Sequence, residues 1–102
     1  MTRREKLEAM LLQSPNDTFL RYALALAFVS EGNPSAAAER LEALVESDPQ
    51  YVPTYFQLAQ LQAAQGQADR AKPVLTKGIE MARRAGDTHA EGEMRGLLEQ
   101  LP

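Results

Sequence analysis

The stretch EGNPSAAAERL, residues 31–41, decides how this chain is read. Before it, from Thr18 to Glu31, Leu20, Leu24, Ala27 and Phe28 recur at helical spacing. At Gly32-Asn33-Pro34 the pattern stops, and it restarts on three alanines. Gly32 can adopt the left-handed conformation that closes a helix. Asn33 can cap the next helix, and Pro34 suits its first position, where no N–H is required. That second helix carries Ala37, Leu41, Leu44 and Val45 on one face. Asp48-Pro49 ends it, because proline disfavours helix in the residue before it.

Working outward, the same plan recurs. A shift of 34 residues places Leu24 on Leu58, Ala25 on Ala59, Gly32 on Gly66, Ala37 on Ala71, Leu41 on Leu75 and Glu46 on Glu80. Upstream, Glu5, Leu7, Glu8, Ala9 and Pro15 fall on Glu39, Leu41, Glu42, Ala43 and Pro49. The matches lie where two packed helices need a large residue, a small one or a stop. Gly32 is therefore a joint and Gly66 is its copy. Ala25 and Ala37 are small where the antiparallel helices cross. Ala38 is expected to be more exposed than Ala37.

Composition agrees with helices and narrows the function. The chain has 102 residues, 44% of them hydrophobic but only 6% aromatic, so its core must be mostly Leu and Ala. Few residues are β-branched, which favours helix over strand. The net charge of −3 weighs against nucleic acid, whose binders cluster Lys and Arg to neutralise phosphates. The absence of cysteine excludes disulfides and thiolate metal sites. The longest apolar run, Tyr22 to Val29, has eight residues, whereas a membrane span needs about twenty. The N-terminus has no apolar signal-peptide core. The expectation is a cytoplasmic protein, or a domain of one, with no membrane and no nucleic-acid partner.

A 34-residue helix–turn–helix with these landmarks resembles the tetratricopeptide repeat (TPR). Residues 18–51 carry Leu24, Ala25, Phe28, Gly32, Ala37, Leu41 and Pro49 in the family order, and residues 52–85 carry Tyr55, Leu58, Ala59, Gly66, Ala71 and Leu75. Residues 3–15 resemble the second helix of a preceding repeat. The resemblance implies an all-α fold, an α-α superhelix of about six helices in a single domain. The last segment matches the repeat poorly; its apolar stripe Met94, Leu97, Leu98 and Leu101 reads as an end helix, residues 87–100, that covers the open face of the array. Departures from the family pattern stand out. Arg21 replaces an aromatic, Gln62 replaces another, and Ala25 and Ala59 replace a glycine. Gly78 replaces an alanine and is expected to loosen the fifth helix. Arg83 replaces the closing proline, so that helix should run on to Arg84 or Ala85, with Pro73 inside it removing one backbone bond. Asp87 or Thr88 can cap the last helix, and Thr88 could form a capping box with Glu91.

Chemistry is sparse. His89, the single histidine, lies near Glu91 and Glu93, but a lone histidine in the first turn of an end helix reads as a surface residue. Ser14, Ser30, Ser35 and Ser47 lie at expected helix ends and read as caps and turns, not nucleophiles. Glu39, Glu42 and Glu46 with Arg40 read as a solvated face with helix-spaced ion pairs. No phosphate-binding or dinucleotide motif occurs. The expectation is a protein that is not an enzyme, with no catalytic residues, no cofactor and no metal site.

What remains is surface. The resemblance implies a concave groove lined by the first helix of each pair. Carried across by repeat position, its partner-binding residues would be Phe19, Tyr22, Leu26, Val29, Phe56, Gln60, Ala63 and Met94. The Lys, Asn and Arg of the family's carboxylate clamp are replaced by Tyr22, Leu26, Gln60, Ala90 and Met94, which disfavours capture of an acidic C-terminal tail. The function implied is protein–protein interaction, with a peptide or protein segment held in an apolar groove. The alternative is a self-associating structural adaptor, a homodimer whose groove is closed by its own last helix.

Overall fold

The computed structural model describes all residues, 1–102, and contains six α-helices and no strands. They are α1 (Arg3–Gln13), α2 (Thr18–Ser30), α3 (Pro34–Ser47), α4 (Pro53–Ala64), α5 (Ala68–Ala85) and α6 (Thr88–Gln100). The chain forms two compact units, Met1–Asp48 with α1 to α3 and Pro49–Pro102 with α4 to α6.

In the first unit, α1 begins with a capping box. The Thr2 hydroxyl accepts from the Glu5 amide at 3.1 Å, and the Thr2 amide donates to Glu5 Oε1 at 2.9 Å. Asp17 caps α2 by accepting from the Leu20 amide at 2.9 Å. The joint after α2 is the one the sequence implied. Gly32 has φ 75°, its amide donates to Val29 O, and the Asn33 amide donates to Phe28 O at 2.9 Å. This pair of bonds uses carbonyls that have no partner within the helix. Asn33 then caps α3, accepting from the Ala36 amide, with Pro34 in the first turn.

The packing of this unit follows from those ends. Leu7 of α1 meets Leu20, Ala23, Leu24 and Ala27 of α2 in one apolar cluster, flanked by Leu11 and Phe28. From α3, Ala37, Ala38, Leu41 and Leu44 are buried. Ala38, at 8%, is more exposed than Ala37, at 0%, as expected, but both are buried; α3 turns a wider face inward than the stripe from Ala37 to Val45 suggested. The open ends of the hairpin are tied together. The Thr18 hydroxyl donates to Asp48 Oδ2 at 2.6 Å, and Arg21 donates to Ser47 Oγ at 2.7 Å.

The second unit repeats the joint. Gly66 has φ 76°, its amide donates to Ala63 O, and the Gln67 amide donates to Gln62 O at 2.8 Å. Tyr55, Leu58 and Ala59 of α4 pack toward α5, which supplies Ala71, Leu75, Ile79 and Ala82. α5 continues through Pro73 and, lacking a closing proline, reaches Ala85. Gly86 (φ 72°) then ends it with the same bonding pattern. Asp87 caps α6 by accepting from the Ala90 amide at 3.0 Å. The expected Thr88–Glu91 box is absent: Glu91 turns to Arg83 and Arg95 instead.

Gly78 has a different role from the one its helix propensity suggested. It is buried where α5 meets Tyr55 of α4 and Met94 of α6, and a Cβ there would lie 2.5 Å from Tyr55 Cβ and 2.5 Å from Met94 Sδ. The missing side chain makes room for both neighbours.

Candidate partner-binding surface

α2 carries two kinds of apolar residue. Leu20, Ala23, Leu24 and Ala27 are buried. Phe19, Tyr22, Leu26 and Val29, spaced three, four and three residues apart, form a separate stripe on the same helix. Phe19 is 62% exposed and Val29 39%, while Tyr22 and Leu26 are half-buried. A phenylalanine ring this open on an otherwise well-packed helix is the clearest apolar exposure on α2.

On α4, the corresponding residues are Phe56 and Ala63, both half-buried, and Gln60, which is exposed. They are again spaced for one helix face, apart from Tyr55, Leu58, Ala59 and Gln62, which are buried.

Met94 departs from the expectation. It is fully buried, its sulfur beside Gly78, and so presents no side-chain surface to a partner. Sequence periodicity put Met94 on the apolar stripe of α6 correctly, but could not show that Gly78 opens a seat for it. Leu97, Leu98 and Leu101 of the same stripe are half-buried.

Charged groups of α5 and α6 form pairs near the last joint. His89 is exposed and faces Glu93 at 3.4 Å. Glu91 accepts from Arg95 at 3.0 Å and lies 3.4 Å from Arg83. The hydrogen bond from Arg95, helped by Arg83 and opposed by partial burial, holds its carboxyl below the usual glutamate range. No group of three His, Asp or Glu side chains is placed to hold a metal ion. Arg40 does not serve the glutamates of its own helix as expected. Its guanidinium lies over the Phe28 ring, 4.8 Å from the centroid, while Arg4 lies 5.5 Å from the same centroid.

Sequence reasoning missed one feature. Leu11, Leu12, Pro15 and Leu24, with Arg21 and Arg40, line a cleft of about 270 Å³ in the first unit. Its signal was the arginine at position 21, where the 34-residue repeat places Tyr55 in the second unit.

Comparison with known proteins decides the family. The tetratricopeptide repeat model matches residues 28–90, more than half of the chain. The chain belongs to the tetratricopeptide repeat family. It is 33% identical over 97 residues to a TPR repeat-containing protein of Pseudomonas aeruginosa, covering 95% of this chain and 92% of that protein. The crystal structure of a tetratricopeptide repeat domain protein from Salinibacter ruber superposes with a TM-score of 0.80 at 36% identity, covering 83% of this chain and 94% of the other. A solution structure of a Bordetella parapertussis protein gives a TM-score of 0.83 at 27% identity, covering 98% and 87%. The TPR fold supports a protein–protein interaction module. No helix is long and apolar enough to cross a membrane.

Proposed function

We propose that this TPR protein is a non-catalytic, cytoplasmic interaction module that binds a peptide or protein segment through the first helix of each hairpin. Phe19, Tyr22, Leu26 and Val29 of α2 are its apolar contacts in the first unit, and Phe56, Gln60 and Ala63 of α4 serve in the second. The repeats run over residues 18–51 and 52–85, with a partial repeat at 3–15 before them and a capping helix at 87–100. The observation that carries this reading is the exposed ring of Phe19, 62% accessible on a helix whose other face is closely packed. Burying one such side chain against a partner is worth about 1.5–3 kcal/mol. An amphipathic or extended segment with large apolar anchors suits such a stripe.

The test compares partner capture by wild type, Phe19→Glu and Leu26→Glu, with helical circular dichroism and melting temperature measured on each. Loss of capture with an unchanged melting curve supports the reading. Unchanged capture in both variants overturns it. If Leu26→Glu unfolds the protein while Phe19→Glu leaves capture intact, Leu26 is core. The self-associating adaptor then replaces the open surface, and light scattering should show a dimer.

A further inference from the structure

The cleft in the first unit lies apart from the α2 stripe, and its chemistry is different. Leu11, Leu12, Pro15 and Leu24 give it an apolar lining, and Leu12 is 85% exposed. A neighbouring hollow of about 100 Å³ shares Leu11, Arg21, Leu24 and Arg40 and adds Ala43. The repeat singles out one residue that borders this space. At the position where Tyr55 places a fully buried ring in the second unit, the first unit has the narrow stem of Arg21.

Two guanidinium groups border the cleft, and both are held in place. Arg21 donates to Ser47 Oγ at 2.7 Å and lies 3.8 Å from Asp48 Oδ2. Arg40 lies over Phe28, whose ring carries no formal charge and so does not neutralise it. The carboxylate on the rim, Glu8, is engaged by Arg4 at 2.9 Å. Held guanidiniums lose less freedom when they take a carboxylate, and they bind it through charge-assisted hydrogen bonds.

We propose that this cleft is a second docking site, which takes a protein segment with a large apolar side chain flanked by carboxylates. The apolar side chain enters between Leu11 and Leu24, and the carboxylates bond to Arg21 and Arg40. The inference deepens the interaction-module reading but uses a different face. Because the whole chain carries a net charge of −3, an acidic segment gains nothing from the overall field. Its affinity rests on short-range contact with the two arginines.

The experiment is a methyl-detected NMR titration of the whole protein with three capped pentapeptides. One has phenylalanine between pairs of aspartates, one has it between pairs of lysines, and one has alanine between aspartates. The first should saturate, shifting the methyls of Leu11, Leu12 and Leu24, while the other two bind more weakly by about tenfold or more. Arg40→Gln, at an exposed position, should weaken the first peptide by a similar factor and lower the melting temperature only slightly, through the lost contact with Phe28. Raising salt from about 0.05 M to about 0.5 M should also weaken it. Equal binding of the lysine peptide, or no binding by any peptide, overturns the proposal. Shifts confined to Leu26 and Val29 also overturn it while leaving the α2 reading standing, and the Phe19→Glu capture assay judges that reading independently.

Discussion

Gly78 of α5 and Tyr55 of α4 meet so closely that a Cβ on the glycine would stand 2.5 Å from the Cβ of the tyrosine. Tyr55 is fully buried, and its hydroxyl donates to the Pro49 carbonyl at 2.5 Å. The 34-residue repeat puts Arg21 and Leu44 at the equivalent positions of the first unit. The fully buried side chain of the pair is therefore Tyr55, on α4, in the second unit and Leu44, on α3, in the first.

Gly78→Ala should destabilise the protein by about 1–3 kcal/mol through overpacking, even though alanine gains up to about 1 kcal/mol in helix propensity over glycine. Urea unfolding measures the difference. Adding Met94→Ala removes the sulfur from the clash but not Tyr55 Cβ, so the double variant should not recover wild-type stability.

Gly66 supplies a contrasting case. Its φ is 76°, yet a Cβ there would meet nothing within 4 Å. Gly66→Val should therefore cost at least about 1 kcal/mol from backbone strain alone. Gln65→Val, at a residue with φ −91°, should cost less. Equal losses in thermal unfolding would refute the assignment of Gly66 as the joint.

Ala37 is fully buried and Ala38 is 8% exposed. Ala37→Leu should cost about 1–3 kcal/mol, and Ala38→Leu should also be unfavourable, though less so. Glu39→Leu, at an exposed position on the same helix, should stay within about 0.5 kcal/mol of wild type. Chemical denaturation of the three variants should reproduce that order.

Glu91 should make α6 sensitive to acid. Its carboxyl is held below the usual range in the folded state, so the unfolded chain binds its proton first as pH falls. Its stabilising effect is present above the ordinary glutamate range and is lost as pH drops through the lowered folded value. Melting curves from about pH 7 to about pH 3 should show a smaller acid-induced fall in Glu91→Gln than in wild type. An identical fall in both would show that the contacts to Arg95 and Arg83 do not matter to folding.

The exposure of two residues of the candidate surface was legible in the sequence. Phe19 and Val29 are exposed on α2, where their repeat positions placed them. Met94 was not legible as core, because its burial depends on a glycine sixteen positions earlier. The Arg21–Arg40 cleft was only hinted at, since periodicity shows which residue departs from the repeat but not what borders the space it leaves.

The sequence by itself determined the joints and the helices between them. Gly32, Gly66 and Gly86 end their helices through hydrogen bonds that span only three and five residues, and Asn33 and Asp87 cap the next helices three residues ahead. Such bonds depend on residue type and spacing alone, so a single chain shows them. Tertiary structure decided the rest. It set Gly78 against Tyr55, seated Met94, turned Ala38 inward and drew Arg40 onto Phe28. Those outcomes depend on which surfaces meet when helices pack, where side-chain volume is shared between residues far apart in the chain and helical period alone cannot apportion it.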